Sequence, residues 1–284
     1  MDTIQRVGVI GAGTMGNGIA QACAVAGLDV TKVVIADAAV FRGGAAITSS
    51  LDRLVKKEKL SAADREAALG RVVGTTDYGR LKGCDLVIEA ATEDEALKRR
   101  ILKDVDAVAG PGAIIASNTS SISITALAAA TSRPDRFVGL HFFNPVPMMA
   151  LVEVIRGLQT TDATVDAMVA FAKRLGKTPV VVNNSPGFVV NRLLCPMINE
   201  AVFVLQEGIA SPQDIDEAMK LGCNHPIGPL ALADMIGLDV MLAVMEVFAR
   251  DFGDAKYRPA PLLREMVAAG RLGRKTGRGF YTYK

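Results

Sequence analysis

Short, β-branched apolar runs alternate with longer stretches whose hydrophobic positions recur at three- and four-residue spacing through the first two thirds of the chain. Residues 6–10, 33–36, 72–73, 85–91, 113–117, 137–143, 151–155 and 179–182 read as strands. Between them, a small-residue helix ending at Ala26 and helices over 38–59, 94–108 and 162–175 supply the crossovers of a largely parallel, doubly covered sheet. The pattern changes at Asn183-Asn184-Ser185-Pro186-Gly187. Ser185 as N-cap with Pro186 at the first helical position predicts a helix to about Glu207, kinked by Pro196. Three more helices follow near 213–220, 238–252 and 260–269, and strand patterning returns only at the very end. The spacing therefore predicts an α/β domain over 1–184 and an all-helical domain over 185–284.

The first strand runs directly into Gly11-Ala12-Gly13-Thr14-Met15-Gly16 and a helix, which places a G-x-G-x-x-G fingerprint between a strand and a helix. Gly11 permits the tight turn, Gly13 admits a pyrophosphate to the backbone, and Gly16 lets helix and strand pack closely. The helix start offers unpaired N–H groups and a positive dipole end to the phosphates. The fold class this implies is a Rossmann-type doubly wound sheet followed by the helical C-terminal domain. A turn that binds nothing is the plain alternative. The acid expected about 20 residues on, for the ribose hydroxyls, is not in place. The first one, Asp37, stands 26 residues beyond Gly11 and serves equally as a helix cap, while Lys32 and Arg42 keep NADP open beside NAD.

Asn144-Pro145-Val146-Pro147 separates the runs 137–143 and 151–155, and a hairpin symmetric about Pro147 pairs Phe143 with Leu151, His141 with Glu153 and Gly139 with Ile155. Directly opposed Cβ atoms lie about 5 Å apart, so the carboxylate reaches the imidazole. The alternative is a buried histidine bonded to a backbone carbonyl, which leaves Glu153 without the partner a buried carboxylate needs. Beyond the carboxyl ends of parallel strands, where ligands bind in such sheets, stand Glu93 and the cluster Asn118-Thr119-Ser120-Ser121. Ser120 is also a candidate helix cap. Asn191 shares a helix face with Leu194, Cys195, Ile198 and Val202, a buried amide that needs partners. The helix end with Arg53, Lys56, Lys57 and Lys59 reads as a solvated face or a phosphate site, and the loop 270–279 as a phosphate contact or a C-terminal turn.

Composition narrows the ligand. A net charge of +2 and the absence of Trp argue against nucleic acid, leaving a small molecule. Cys23, Cys84, Cys195 and Cys223 are scattered as reduced thiols are, and the two distant histidines, His141 and His225, argue against a metal site. Met1 to Arg6 leads straight into a strand with no leader pattern, and no run reaches membrane-spanning length, so a cytoplasmic protein is expected. Leu, Met and Val in the C-terminal helices exceed internal need and predict a homodimer.

Five segments together resemble the L-3-hydroxyacyl-CoA dehydrogenase family, most of all its bacterial 3-hydroxybutyryl-CoA dehydrogenases. They are the glycine fingerprint, Ser117-Asn118-Thr119-Ser120-Ser121, His141-Phe142-Phe143-Asn144-Pro145, Pro186-Gly187-Phe188-Val189-Val190-Asn191-Arg192 and Gly273-Arg274-Lys275-Thr276-Gly277. The likeness spans essentially the whole chain. It implies His141 as general base, Glu153 as its partner, Ser120 near the reacting oxygen and Asn191 as a further catalytic group. It also implies cofactor contacts from Gly11, Ala12, Gly13, Thr14, Met15, Gly16, Glu93, Lys98, Asn144 and Lys275, and acyl-CoA contacts from Ser50, Lys57 and Ser120. The implied reaction interconverts an (S)-3-hydroxyacyl-CoA, such as 3-hydroxybutyryl-CoA, with its 3-ketoacyl-CoA using NAD. One position departs: the family's ribose aspartate falls on Val34, which predicts weakened NAD binding. The rival readings are a dehydrogenase of a free hydroxy acid and a non-catalytic NAD-binding protein.

Overall fold

Residues 4–283 are described by the structure, a computed structural model; Met1, Asp2 and Thr3 of the N-terminal reading lie outside them. Eight strands, β1 (Arg6–Ile10), β2 (Asp29–Val33), β3 (Val72–Thr75), β4 (Leu86–Glu89), β5 (Ile114–Ser117), β6 (Phe137–Phe142), β7 (Leu151–Arg156) and β8 (Thr178–Asn183), form one sheet in the order β3-β2-β1-β4-β5-β6-β7-β8. The first six pair in parallel, β7 turns back antiparallel to β6, and β8 lies parallel to β7. Strand order reverses between β1 and β4, and there the crossovers diverge to open a crevice at the carboxyl ends.

Around this sheet run α1 (Thr14–Val25), α2 (Asp37–Lys56), α3 (Ala62–Gly70), α4 (Glu95–Val108), α5 (Ile124–Ala128) and α6 (Asp162–Arg174). One buried core joins Val7, Val9, Leu86, Ile88 and Val154 of the strands to Ile19, Ala20 and Cys23 of α1, Ile47 and Leu51 of α2, and Met168 and Phe171 of α6. The chain divides into two compact units, one ending at Ser185 and one starting at Pro186. The second holds α7 (Val190–Gln206), α8 (Pro212–Gly222), α9 (Pro229–Ile236), α10 (Leu238–Phe252) and α11 (Pro261–Ala268) around Ile198, Val202, Leu230, Met241, Met245 and Phe248. The mixed sheet followed by helices alone is the architecture the hydrophobic pattern predicts.

Two boundaries differ from the expectation. The second strand is Asp29–Val33 rather than 33–36, because Arg6 of β1 takes Asp29 as its partner and the register then runs out at Ile10 opposite Val33. The apolar run that looked like the strand is its exit. Helix α7 begins at Val190 and not at Pro186, since Gly187 (φ 72°) and Phe188 (φ 54°) both occupy the left-handed region, which no right-handed helix includes. A Cβ on Gly187 would overlap the Phe248 ring, so the turn needs glycine on both counts. Helices α3 and α9 were not expected; Ser61 caps the former by accepting from the Asp64 N–H, and Pro229 opens the latter.

Candidate active site

At the carboxyl end of β1 the chain turns through Gly11 and enters α1 at Thr14. Gly11 has φ 125°, and a Cβ there would overlap the Ala90 carbonyl of the neighbouring strand exit. Gly16 lies against the Gly11 carbonyl, which explains the third glycine as a packing requirement. Gly13 differs: a Cβ added to it meets nothing within 4 Å. Space over that peptide and the open N–H groups of the first turn fit a dinucleotide pyrophosphate. Ala12, Gly13 and Thr14 line one wall of a cleft of about 480 Å³ whose other walls are Asn17, Arg42, Ser50, Arg53 and Asn144. Asn144 lies in the loop after β6 and forms a cis peptide with Pro145.

The hairpin has the register expected from symmetry about Pro147: Gly139 opposite Ile155, Leu140 opposite Val154, His141 opposite Glu153. His141 Nδ1 lies 2.7 Å from Glu153 Oε2, and both residues are buried. The Phe143 ring, 4.4 Å away between centroids, packs against the imidazole. A carboxylate on Nδ1 fixes the tautomer that carries its proton there, so Nε2 is the nitrogen able to accept one. The same carboxylate stabilises an imidazolium once formed.

Glu93 gathers the hydroxyl cluster. Its Oε1 accepts from Thr119 Oγ1 (2.6 Å), Ser120 N (2.7 Å), Ser120 Oγ (3.0 Å), Ser121 N (3.2 Å) and Ser121 Oγ (3.3 Å). Burial works to raise this carboxyl, but the Lys98 ammonium and the Thr119 and Ser120 donors outweigh it and hold it below the usual range. Its side chain remains 38 % exposed, so it is the ionised, accessible member of the cluster.

Lys98, expected as a direct cofactor contact, is 0 % exposed. Its ammonium sits 2.8 and 2.9 Å from the two oxygens of the equally buried Glu89 and 3.6 Å from Glu93 Oε2. Its ammonium thereby ties the two carboxylates together. Glu89 also accepts from Ser117 Oγ (2.5 Å) and the Ala91 N–H (2.7 Å). This residue was missed; a glutamate ending the apolar run Leu86-Val87-Ile88, nine residues before a lysine, was the available signal. Asn118 is part of the cluster expected to face the ligand, and its Oδ1 accepts from the Phe142 N–H (2.9 Å), fixing the strand just past His141.

Of the acyl-CoA candidates, Ser50 lines the cleft, whereas Lys57 follows α2 as an exposed C-cap residue away from that lining. Arg53, one turn from Ser50, lines the cleft as well. In the second unit, Asn191 stands in the first turn of α7, and Lys275 pairs with Asp239 at 2.5 and 2.6 Å. The glycine-rich loop is a C-terminal turn: buried Asp234 accepts from the N–H groups of Phe280 and Tyr281 and from the Tyr283 hydroxyl, and a Cβ on Gly273 or Gly279 would overlap Asp234.

Comparison with known proteins agrees with this geometry. Residues 6–185 match the profile described as 3-hydroxyacyl-CoA dehydrogenase, NAD binding domain, and residues 187–283 match the corresponding C-terminal domain. A probable 3-hydroxybutyryl-CoA dehydrogenase of Deinococcus radiodurans is 54 % identical over 98 % of this chain and 100 % of its own. The mitochondrial hydroxyacyl-coenzyme A dehydrogenase of Homo sapiens is 43 % identical over 99 % of this chain and 92 % of its own. The crystal structure of (S)-3-hydroxybutyryl-CoA dehydrogenase from Ralstonia eutropha superposes with a TM-score of 0.97 at 69 % identity, covering 99 % of this chain and 100 % of that one.

Proposed function

The chain belongs to the 3-hydroxyacyl-CoA dehydrogenase family, and on that premise we propose that it interconverts (S)-3-hydroxybutyryl-CoA and acetoacetyl-CoA with His141 as general base. It is an NAD-dependent oxidoreductase of 3-hydroxyacyl-CoA and 3-ketoacyl-CoA. The observation that carries the residue assignment is the 2.7 Å His141–Glu153 pair, borne by the same sheet whose first turn is the glycine fingerprint.

When bound, the nicotinamide supplies the acceptor for the hydride that leaves carbon 3. Gly11 to Gly16 would hold the pyrophosphate at the start of α1, and Asn144 and Glu93 would serve as further cofactor contacts. His141 takes the hydroxyl proton at Nε2 as that oxygen becomes a carbonyl, and returns it in the reverse direction. Glu153 keeps the ring oriented and offsets the charge it acquires. Ser120 would donate to the reacting oxygen, Asn191 is assigned to the reaction by the family likeness alone, and Lys98 acts through Glu89 and Glu93 as a positioning residue. Positioned base catalysis is worth about 10²–10⁴ in rate, or roughly 3–5 kcal/mol. Ser50 and Arg53 border the cleft and give the CoA phosphates a hydroxyl and a cation; Lys57 adds a more distant charge.

Acetoacetyl-CoA, longer 3-ketoacyl-CoAs and free acetoacetate, assayed side by side with NADH, test this reading. Efficient turnover of the thioesters and little of the free acid is expected; the reverse order would overturn it. The homodimer and the cytoplasm remain part of the proposal. Exposed Leu193, Ile209, Leu221, Met235 and Val240 on the helical unit favour self-association, so light scattering should give twice the 29.9 kDa of the chain. The four cysteines are unpaired and no described helix is long and apolar enough to cross a membrane, features that suit the cytoplasm. Fractionation with membranes would oppose that placement.

A further inference from the structure

At the carboxyl end of β2, where a doubly wound fold meets the adenosine ribose, an acid normally binds the ribose hydroxyls and repels a 2′-phosphate. Here β2 closes at Val33, and Val34 is 4 % exposed with its N–H on the Thr75 carbonyl at 3.0 Å. Ile35 and Ala36 follow, and the first carboxylate is Asp37, already inside α2. Among the described residues, no carboxylate stands between Val33 and Asp37 to repel a phosphate.

Two cations stand beside this position. Lys32 is two residues earlier, on the same strand face as Val34. It is 2 % exposed, and its ammonium rests on the side-chain oxygen of Asn17, whose amide donates to the Ala12 carbonyl at 3.0 Å inside the glycine turn. No carboxylate pairs with it among the described residues. A Cβ on Gly43 of α2 would overlap that ammonium, so one half of the Gly43-Gly44 pair makes room for it. The adjacent Arg42 is exposed and lines the cleft with Gly13, Thr14 and Asn17. A buried lysine without a counter-ion costs stability, and an apolar side chain of similar length would avoid that cost. Desolvation already pushes Lys32 down to about 8.

We propose that the adenosine-ribose subsite accepts a 2′-phosphorylated dinucleotide, with Lys32 and Arg42 as the partners of the 2′-phosphate and Val34 as the position that admits it. The inference rests on the reading that the first unit binds a nicotinamide dinucleotide. A cation two residues before the open strand end suits an anionic group at the ribose, and an unphosphorylated ribose calls for none.

Fluorescence titration of NADH and NADPH against the purified protein measures this without turnover. The NADPH dissociation constant is expected within about fivefold of that for NADH. Val34→Asp should weaken NADPH at least about tenfold relative to NADH, and the exposed-site variant Arg42→Ala should weaken NADPH alone. Tight NADH binding with NADPH more than about fivefold weaker would overturn the inference while leaving the dehydrogenase reading intact. So would variants that shift both nucleotides equally. Failure of both nucleotides to bind would overturn the two together.

Discussion

Lys32 illustrates how a single residue's environment sets a measurable property. Its ammonium is packed against Asn17 of α1 and Gly43 of α2, with no ion-pair partner among the described residues. Burial lowers its pKa from 10.5 to about 8, so between those values the unfolded chain binds the proton that the folded chain has released. Stability attributable to this group therefore rises with pH across that window, and its cost is fully present below pH 8. Lys32→Met should raise Tm at pH 7 by a few degrees, the equivalent of roughly 1–2 kcal/mol after allowance for partial solvent screening. The gap between variant and parent should close towards pH 10. A parallel pair of Tm–pH curves would contradict this account. His141 and Glu153 were legible from spacing alone because antiparallel pairing is direct. Glu89 and Lys98 were harder to see, since their contact joins a strand end to the first turn of the following helix, and the family likeness suggested only that Lys98 faces the cofactor.

Among the elements, the turn between β1 and α1 separates folding from binding most cleanly. Gly11 is required by its φ of 125° and by the Ala90 carbonyl, whereas Gly13 has an extended φ of −75° and open space above it. Gly11→Ala should therefore lose soluble, folded protein. Gly13→Ala should keep Tm within about 2 °C, as surface substitutions do, while weakening NADH by about tenfold or more through loss of the close phosphate approach. Equal thermal destabilisation by the two changes would refute the distinction. Strands buried on both faces were readable as continuous apolar runs, which is why β4, β5, β6 and β7 matched their expected positions. β2 was misplaced because Thr31 and Lys32 interrupt its pattern while Val33-Val34-Ile35 imitates a strand. The polar residue that hid the strand is the one with the most unusual surroundings. The start of α7 was misplaced because Ser-Pro before a helix is a strong local signal, and the left-handed Gly187 and Phe188 are decided by packing on Phe248.

For the molecule as a whole, the family profiles cover both units, and the chain spans 100 % of the Deinococcus relative and of the Ralstonia structure. Each unit has its own core; the His141–Glu153 pair and the glycine turn belong to the first, and Asn191 and Lys275, implied by the family likeness, to the second. The assignment with most of the chemistry in it is His141, and it is tested by acetoacetyl-CoA reduction under saturating NADH, with NADH affinity measured separately. His141→Ala should lower kcat by about 10²–10⁴ with the NADH dissociation constant unchanged within about twofold, and Glu153→Gln should lose less because it still orients the ring. A His141→Ala enzyme that turns over within about tenfold of the parent would contradict the general-base assignment.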